Sequence, residues 1–323
     1  MKELTIKAND AGQRLDKFLQ KAVPRLPAPL MQKYIRTKRI KRNGKRTTHD
    51  THLAEGDCIA LYISDEFFDA APRRDAFTAL TPALRIVYED EHVLLLDKRP
   101  GLSVHEDAHG DRDTLIDHVK AYLYQSHAWD PAAEHSFTPA LCNRIDRNTG
   151  GIVIAAKTAP ALRILNEKIK RRELSKYYVC IVSGAPRPAS GRLRGYLWKD
   201  AKKNLVYVRQ TPSPGAKPAE TRYRTLAVRG DLSLLECELI TGRTHQIRAQ
   251  MAAAGHPLLG DGKYGDYALN RKYKRQIQAL YSYRLTFDFQ TPAGELSYLN
   301  GKTFSVSDID FVQRYFPEFR MRG

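Results

Sequence analysis

The sequence contains no apolar stretch of about 18 residues, the shortest length typical of a membrane-spanning helix. It also lacks an amphipathic helix with a Trp- or Phe-rich face opposite its lysines, the pattern that binds membrane surfaces. The opening residues, MKELTIKANDAGQ, contain no apolar core of signal-peptide length. We therefore expect no membrane partner and a cytoplasmic location.

Cysteine is scarce, and nucleotide-binding loops are missing. The four cysteines, Cys58, Cys142, Cys180 and Cys237, are scattered without CxxC spacing. Three of them lie in apolar stretches typical of strands, so we expect buried, reduced thiols. Neither a Walker A loop nor a GxGxxG motif occurs, so the sequence gives no support for a nucleotide cofactor.

One segment matches a metal-binding pattern. Residues 105–109, His-Glu-Asp-Ala-His, satisfy HExxH, which binds zinc when a helix brings both histidines to one face. Glycines at 101 and 110, and the lack of a helical period around the pentapeptide, argue against a helix there. We therefore expect a loop that lines some site and no metal, with zinc hydrolysis as the less favoured alternative.

Positive charge is abundant. The 53 lysines and arginines exceed the 36 acids and give a formal net charge of +17, which favours a polyanionic partner, nucleic acid first. One basic run, from Lys33 to Arg46, has no acid among its residues and is interrupted by the turn pair Asn43-Gly44. Such a run cannot be buried. Six of its residues are candidates for RNA binding: Lys38, Arg39, Lys41, Arg42, Lys45 and Arg46.

The composition changes between residues 65 and 82, where charges and two prolines occur without a sustained period. Such a segment is typical of an interdomain linker. The strand-like segment 57–63 closes the region before it. We therefore predict a small domain at 1–64 and a larger domain at 83–323.

Short apolar runs rich in Val, Ile, Leu and Tyr recur in the larger domain and indicate strands of one sheet. Helical periodicity is found at 13–22, 29–36, 113–125, 160–171 and 244–254. Strands and helices follow one another without regular βαβ alternation. This order favours an α+β fold over a doubly wound parallel sheet.

Asp146 lies in the segment NRIDRNTGG, directly before the apolar strand IVIAAK. Because Arg144 and Arg147 flank it and a Gly-Gly turn follows, we expect an ionised carboxylate at a strand entrance. Such a carboxylate can act as a nucleophile toward an electron-poor carbon. An aspartate that only organises its own loop is the alternative, and this segment alone does not decide between them.

Two further segments carry candidate site residues. In TGRTHQIRAQ (241–250), His245 and Arg248 are three positions apart at the start of a predicted helix. A buried arginine there needs an acidic partner, whereas a surface arginine is the simpler alternative. In KYYVC (176–180), strand alternation puts Tyr177 and Tyr178 on opposite faces, so that one can face the core and the other a site.

Together these segments resemble the RluA family of RNA pseudouridine synthases. The family pattern H-R-L-D-x-x-T-S-G, K-x-Y and T-G-R-x-H-Q-(I/L)-R appears here in the same order. The resemblance extends from about Leu84 to at least Phe287 and includes KRPGLSVH, KPAETRY and GHPLLGDGKYG. The N-terminal region, with GQRLDKFL and the basic hairpin, looks like an S4 domain, an RNA-binding module.

The resemblance implies the pseudouridine synthase fold, with a mixed, mainly antiparallel sheet flanked by helices and loops. It implies that Asp146 is the catalytic carboxylate, that Tyr178 lies against the target uracil, and that Arg248 pairs with Asp146. Arg144 is implied to enter the RNA helix when the base is extruded. The implied reaction needs no cofactor or metal, its substrate is ribosomal RNA of the large subunit or transfer RNA, and the simplest state is a monomer.

Two residues depart from the family pattern: Asn143 stands where the family usually has His, and Gly150 where it usually has Ser. Neither departure removes a catalytic group, but Asn143 weakens any inference about the substrate. A non-catalytic S4-type RNA-binding or ribosome-assembly protein would explain the charge equally well. It would not explain Asp146, Tyr178 and Arg248 at family spacing.

Overall fold

The computed structural model describes residues 1–68, 76–106 and 113–321. Their contacts divide the chain into two compact units. Unit 1 comprises Met1–Ala83, Ile116–Ala140 and Ala156–Arg163. Unit 2 comprises Leu84–Leu115, Leu141–Ala155 and Ile164–Gly323. Unit 1 thus takes in two stretches that the sequence assigned to the larger domain, and the functional boundaries at 64 and 82 stay a prediction.

The described part of the chain contains seven α-helices. They are α1 (Leu15–Ala22), α2 (Ala28–Arg36), α3 (Leu115–Gln125), α4 (Ala159–Lys170), α5 (Gln246–Ala253), α6 (Tyr267–Lys272) and α7 (Asp310–Tyr315). The five predicted helices are confirmed to within two residues at each end. The other two, α6 and α7, have six residues each, too few to produce a periodic signal. Within the described ranges, none of the helices combines the length and apolar character needed to cross a bilayer.

Fifteen strands are described. They are β1 (Lys2–Thr5), β2 (Ile40–Arg42), β3 (Lys45–Arg46), β4 (Cys58–Leu61), β5 (Ile86–Glu89), β6 (Val93–Lys98), β7 (Ala140–Leu141), β8 (Gly150–Ala156), β9 (Leu174–Ser183), β10 (Ser190–Asp200), β11 (Leu205–Arg209), β12 (Lys217–Arg229), β13 (Leu232–Leu239), β14 (Leu280–Phe287) and β15 (Thr303–Ser305).

In unit 1, four strands form an antiparallel sheet in the order β1-β4-β2-β3. The predicted basic hairpin is confirmed: β2 and β3 are joined by Asn43 and Gly44, whose φ angles of 50° and 72° suit a tight two-residue turn. Helices α1 and α2 bury Phe18, Leu19 and Ile35 in the same core as strand β4. The basic side chains of the hairpin are thereby left on the surface side of a small α+β fold.

The second sheet follows the order β11-β10-β12-β13-β9-β14-β8-β6-β5, with β15 on β14 and β7 on β8. Strands β8 and β14 run parallel, whereas the other strand pairs with a described register in this sheet are antiparallel. Every residue of β8 is buried. The predicted α+β fold with a mixed, mainly antiparallel sheet is therefore confirmed.

Two glycines at the start of β8 allow the close approach of β14. A Cβ atom on Gly151, whose φ is +111°, would lie 2.1 Å from the carbonyl oxygen of Ser282. A Cβ atom on Gly150 would lie 2.3 Å from the ring of Tyr281, whose hydroxyl donates to Asp97 at 2.5 Å. Tyr281 thus occupies the space of the serine that the RluA pattern usually has at position 150, which explains this departure.

The four cysteines are free thiols, but only two are buried. Cys180 in β9 and Cys237 in β13 are fully buried with their Sγ atoms 3.8 Å apart. Cys58 in β4 and Cys142 before Asn143 are half-buried. The prediction of buried thiols is therefore wrong for Cys58 and Cys142, because Cys142 precedes β8 outside any strand and Cys58 begins its strand at the rim of the small sheet.

Candidate active site

Asp146 lies in the turn between β7 and β8. The turn is closed by the Thr149 N–H, which donates to the Asp146 carbonyl at 3.0 Å. Asn143 ties the same turn to β8, because its Oδ1 accepts from the Ile154 N–H at 2.8 Å and its Nδ2 donates to the Ile152 carbonyl at 3.4 Å. The Asn143 departure thus has a structural role at the base of the turn.

Arg248 fixes the Asp146 carboxylate. Its Nη1 donates to Asp146 Oδ2 at 2.7 Å, while Nε and Nη2 donate to the two oxygens of Asp261 at 2.6 and 2.8 Å. The Arg248 side chain is 6% exposed and that of Asp146 is 25% exposed. In the part of the chain that the structure describes, Arg248 holds Oδ2 and no donor reaches Oδ1.

Asp261 is the acidic anchor behind Arg248. It is fully buried and also accepts the backbone N–H groups of Lys263 and Tyr264 at 2.8 and 3.1 Å. Burial opposes its charge, but Arg248 and these N–H groups hold the pKa of Asp261 below its ordinary value. Burial likewise opposes the Arg248 charge, yet the two carboxylates raise the pKa of Arg248. The arginine is therefore a fixed cation that connects a buried acid to Asp146.

His245 lies on the other side of the carboxylate, with Nε2 3.9 Å from Asp146 Oδ2. Burial and the cation of Arg248 lower the pKa of His245 to about 4, so the imidazole is neutral at pH 7. The Tyr264 oxygen accepts from the Val206 N–H and lies 2.9 Å from His245 Nδ1. The tautomer of His245 follows from this contact: when the phenol donates to Nδ1, the neutral imidazole carries its proton on Nε2, toward Asp146, and when Nδ1 donates, Nε2 carries none.

Tyr178 and Tyr177 face opposite sides of β9, as strand alternation predicts. Tyr178 is buried, hydrogen-bonded to Ser282, and close enough to Asp146 to be affected by its charge. Burial raises the pKa of Tyr178 to about 12, so its hydroxyl stays protonated at neutral pH. Tyr177 instead packs under the guanidinium of Arg284, whose Cζ lies 4.2 Å from the ring centroid. Of the two tyrosines, only Tyr178 belongs to the Asp146 site.

Lys98, at the end of β6, is hydrogen-bonded to the backbone of the turn that carries Asp146. Its side chain is buried, and the ammonium donates to the carbonyls of Arg99, Leu102 and Arg147 at 3.1, 2.8 and 2.9 Å. All three donors of the ammonium group are thereby used. Burial lowers the pKa of Lys98 to about 7, against the charge of Asp146, which favours the ammonium form. In its ammonium form, Lys98 thus binds the loop after β6 to the backbone next to Asp146.

The Lys98 pKa leads to a testable pH dependence. Because the folded-state pKa is about 7 and the ordinary value is 10.5, the unfolded chain binds more protons between these values. The contribution of Lys98 to stability should therefore rise as pH increases from about 7 to 10.5 and be constant below about 7. Urea unfolding of wild type and Lys98→Met at several pH values measures this difference. Identical pH profiles for the two proteins would contradict the prediction.

Gln246 of the TGRTHQIR segment and Gln250, just after it, hold α5 in place. The Gln246 Oε1 accepts from Thr241 Oγ1 at 2.8 Å, and its Nε2 donates to the Glu220 carbonyl and Thr221 Oγ1 at 3.0 and 2.9 Å. One turn later, Gln250 Oε1 accepts from Thr221 Oγ1 at 2.7 Å. These buried bonds tie α5 to β12 and so set the position of Arg248.

The predicted RNA-binding residues are divided between the two units. Arg144, two positions before Asp146 in unit 2, is exposed. The other six lie in unit 1, where Lys38, Arg39, Lys45 and Arg46 are exposed and Lys41 is half-buried. The surface at the hairpin also includes aromatic rings: Arg39 stacks on Tyr34 and Lys41 on Tyr62, at 4.6 and 5.2 Å.

Arg42 differs from the other basic residues of the hairpin. Its Nε donates to Asp57 Oδ2 at 2.6 Å, and Asn43 Nδ2 donates to the other oxygen at 2.7 Å. Burial opposes the Asp57 charge, but Arg42 and the Ala54 N–H keep the pKa of Asp57 below its ordinary value. The guanidinium of Arg42 is therefore used mainly to fix the hairpin to the loop before β4.

The HExxH pattern lies only partly within the described residues, because residues 107–112 are outside them. Its first two members, His105 and Glu106, lie outside any helix or strand. Among the residues that are described, no group of three or more His, Cys, Asp or Glu side chains could hold a metal ion.

Sequence reasoning identified Asp146, Tyr178 and Arg248 as site residues, and the structure brings all three together. It assigned no role to Asp261 or Lys98 and only placed His245 near Arg248. A signal was available for each of them, because Asp261 stands in GHPLLGDGKYG and Lys98 in KRPGLSVH, both part of the family resemblance. What those segments do not reveal is which side chain is turned toward Asp146.

Comparison with known proteins identifies the family. A family model described as RNA pseudouridylate synthase matches residues 92–253. The "Ribosomal large subunit pseudouridine synthase C" proteins of Vibrio cholerae and Escherichia coli are 30% and 29% identical, over 88% and 86% of this chain and 87% and 82% of the relatives. An uncharacterized RNA pseudouridine synthase of Mycoplasma genitalium is 32% identical over 85% of this chain and 86% of the relative.

Solved structures show the same fold. "Human RNA Pseudouridylate Synthase Domain Containing 4" superimposes with a TM-score of 0.54 at 21% identity, covering 68% of this chain and 87% of that structure. "Human RNA Pseudouridylate Synthase Domain Containing 1" gives 0.51 at 19% identity, covering 76% and 100%. The RluA-type resemblance is confirmed, and the chain belongs to the RNA pseudouridylate synthase family.

Proposed function

We propose that this pseudouridine synthase isomerises uridines of large-subunit ribosomal RNA, with Asp146 as its catalytic carboxylate. The relatives named above act, by their names, on the ribosomal large subunit. The observation that supports Asp146 most directly is its geometry: Arg248 holds one oxygen at 2.7 Å, and the other oxygen accepts no hydrogen bond from the described residues. Because the proposed substrate is ribosomal RNA, we propose a cytoplasmic location. We also propose that the active state is a monomer, the simplest arrangement.

The reaction rearranges a single nucleotide. The N1–C1′ bond of uridine breaks, the uracil turns within the site, and C5 bonds to C1′; C5 then loses its proton and N1 takes one up, so that the product is an isomer of the substrate. Atoms and electrons balance within the nucleoside, so the step requires no redox partner or nucleoside triphosphate. A carboxylate can attack C1′, as the nucleophile of retaining glycosidases does, or remove a ribose proton. Both routes would use the free oxygen of Asp146.

Tyr178 is proposed to pack its ring against the target uracil. With a pKa of about 12, its hydroxyl is neutral at pH 7 and is a weak base on its own. Its bond to Ser282 instead allows the hydroxyl to act as a relay when the C5 proton leaves. His245, neutral and with Nε2 toward Asp146, adds a polar group on the same side of the site.

The target base must leave its stack before it reaches Asp146, which costs a few kcal/mol. We propose that exposed Arg144 fills the space of the extruded base. The small sheet of unit 1, with α1 and α2, is proposed to act as an S4-like module whose hairpin makes phosphate contacts largely independent of sequence. Local RNA structure would be recognised by the loops of unit 2.

The substrate assignment can be tested directly. Purified protein is incubated with unmodified transcripts of large-subunit ribosomal RNA and of transfer RNA, and pseudouridine is mapped by carbodiimide adducts. We expect complete conversion at a small number of uridines in ribosomal RNA and none in transfer RNA. Product in transfer RNA alone would overturn the ribosomal assignment, and product in neither RNA would overturn the proposed activity.

The hairpin contribution can be measured from the salt dependence of binding. Replacing Lys38, Arg39, Lys45 and Arg46 with Ala should lower the slope of log affinity against log salt by about 0.7–0.9 for each phosphate that is no longer neutralised. Arg42 is kept, because its removal would leave buried Asp57 without its ion pair. The same number of exposed cations in unit 2, Lys170, Arg171, Arg172 and Arg314, provides the charge-matched control. An unchanged slope would mean that the hairpin does not touch RNA.

A further inference from the structure

Tyr264 contacts three neighbours of the Asp146 carboxylate, although the proposed reaction gives it no role. Its backbone N–H donates to Asp261 at 3.1 Å, and its ring packs against the guanidinium of Arg248, with Cζ 5.3 Å from the ring centroid. Its hydroxyl lies 2.9 Å from His245 Nδ1. The half-buried tyrosine thus joins the acid, the arginine and the histidine around Asp146.

The contacts of the Tyr264 hydroxyl indicate where its proton goes. The oxygen accepts the Val206 N–H at 2.8 Å, and a backbone N–H can only donate, so the hydroxyl proton needs another partner. Among the described residues, His245 Nδ1 is the only other group in hydrogen-bond contact with the hydroxyl. Burial raises the pKa of Tyr264, so the phenol keeps its proton at neutral pH. Within the described structure, Nδ1 is therefore the acceptor available to this proton.

The other ring nitrogen of His245 lies near a negative charge. Nε2 is 3.9 Å from Asp146 Oδ2, the same oxygen that accepts from Arg248 at 2.7 Å. A proton on Nε2 is attracted to the carboxylate, whereas a lone pair there would be repelled by it. Because the imidazole is neutral at pH 7, it carries one proton. The surroundings of both ring nitrogens thus favour that proton on Nε2.

The backbone also restricts the position of His245. At the N-terminal end of α5 it has a φ of 51°, a left-handed conformation that is uncommon for residues other than glycine. Its side chain is 9% exposed. Conformations of this kind cost free energy and are concentrated at functional sites. The imidazole is therefore fixed by its backbone at one end and by Tyr264 at the ring.

On the basis of the proposed catalytic role of Asp146, we propose that Tyr264 is a positioning residue for the reaction. It donates to His245 Nδ1 and thereby keeps the Nε2–H group of the histidine beside Asp146 Oδ2. A neutral donor near Oδ2 supports the bond from Arg248 to the same oxygen. The carboxylate is thereby kept in the orientation that offers Oδ1 to the nucleotide.

The tautomer of His245 can be observed without RNA. In protein labelled with ¹⁵N-histidine, the couplings of the ring nitrogens to the carbon-bound ring protons show which nitrogen is protonated. The chain has 10 histidines, and the signals of His245 are those that disappear in His245→Asn. At pH 7 we expect the proton on Nε2. A proton on Nδ1 would overturn the proposal, because the Tyr264 oxygen would then be the acceptor.

Tyr264→Phe removes the hydroxyl and keeps the ring against Arg248. We expect the single-turnover rate constant at saturating protein to fall about tenfold, less than the roughly 10²-fold cost of a 1 Å misplacement. RNA affinity should stay within about twofold of the wild-type value. Tyr207→Phe on β11 is the matched control and should react normally, because the Tyr207 hydroxyl is not hydrogen-bonded to any described residue. An unchanged rate in Tyr264→Phe would overturn the proposal.

A double-mutant cycle shows whether the hydroxyl acts through His245. Asparagine at position 245 suits the left-handed backbone, and its amide ends where the ring atoms Nδ1 and Cδ2 stand, short of Nε2. We expect His245→Asn to lower the rate constant about tenfold, and Tyr264→Phe to cause no further loss in that background. A tyrosine that only anchors Val206 or packs on Arg248 would lower the rate by the same factor in both backgrounds. That result would overturn the proposal.

Failure of this proposal is distinct from failure of the isomerase assignment. Product formation by the wild-type protein and its loss in Asp146→Asn test the assignment, whereas the tautomer and the cycle test Tyr264. If Tyr264→Phe lowers the urea midpoint, the tautomer of the wild-type protein still tests the proposal, since it requires no variant at position 264.

Discussion

Asp146→Asn is expected to reduce pseudouridine formation by about 10⁴-fold or more while RNA affinity changes by no more than about twofold. Asparagine keeps the size of the side chain, but it has no negative charge and cannot attack C1′ or remove a proton. The bond from Arg248 at 2.7 Å becomes a neutral one, and the anchor of Arg248 on Asp261 is unchanged. The site should therefore stay folded and lose its chemistry alone.

Single-turnover conversion of a transcript that contains the target uridine and filter binding of the same RNA measure the two quantities separately. Asp288→Asn, an exposed aspartate of unit 2, is the control for the substitution itself and should be fully active. Activity of Asp146→Asn near the wild-type level would mean that another residue is the catalyst. Loss of RNA binding together with activity would instead indicate a structural role for Asp146.

Arg248→Met is expected to cost about 3–5 kcal/mol of stability, because it leaves a buried carboxylate without its cation. Asp261 is fully buried, and two of the three donors of Arg248 in this network go to it. Asp146 simultaneously loses the bond that fixes its orientation, so activity should fall as well. Arg248→Lys keeps the charge but offers a single ammonium in place of a planar fork, and misplacement of Asp146 should cost about 10²-fold in rate.

A double substitution separates stability from orientation. In Arg248→Met with Asp261→Asn, the buried charge is removed with its partner, so much of the stability should return, as measured by urea unfolding. Conversion of uridine should nevertheless stay low, because nothing holds Asp146. Full activity of the double variant would show that Asp146 needs no ion pair. Equal stability of Arg248→Met and of the double variant would show that the buried charge of Asp261 is not what destabilises Arg248→Met.

The sequence was most informative where a pattern is local. Helical periodicity located five helices, and Asn43-Gly44 marked the hairpin between β2 and β3. The resemblance then grouped Asp146, Tyr178 and Arg248, which composition and spacing alone could not do. The helices, the hairpin and the grouping of site residues could be predicted because the evidence for each lies in residues close in sequence, either as a hydrophobic period or as a motif.

Other features depend on residues far apart in the chain. The packing of Tyr281 on Gly150 decides what position 150 can hold, and no local pattern contains that information. Local patterns also do not reveal that Arg248 is anchored on Asp261 or that three carbonyls surround Lys98. The stretches 116–140 and 156–163 join unit 1 through tertiary contacts, so their grouping could not be inferred from the linker composition at 65–82.

The parallel pairing of β8 with β14 has a consequence for how the enzyme matures. Asp146 and Arg248 are 102 positions apart, and Thr149 is bonded to Gln278 across 129 positions. Contacts of such sequence separation form late in folding, because the loops between them must first be closed. A growing chain on the ribosome therefore carries its aspartate long before it has the arginine, and the site can be completed only after the chain has been synthesised beyond Gln278.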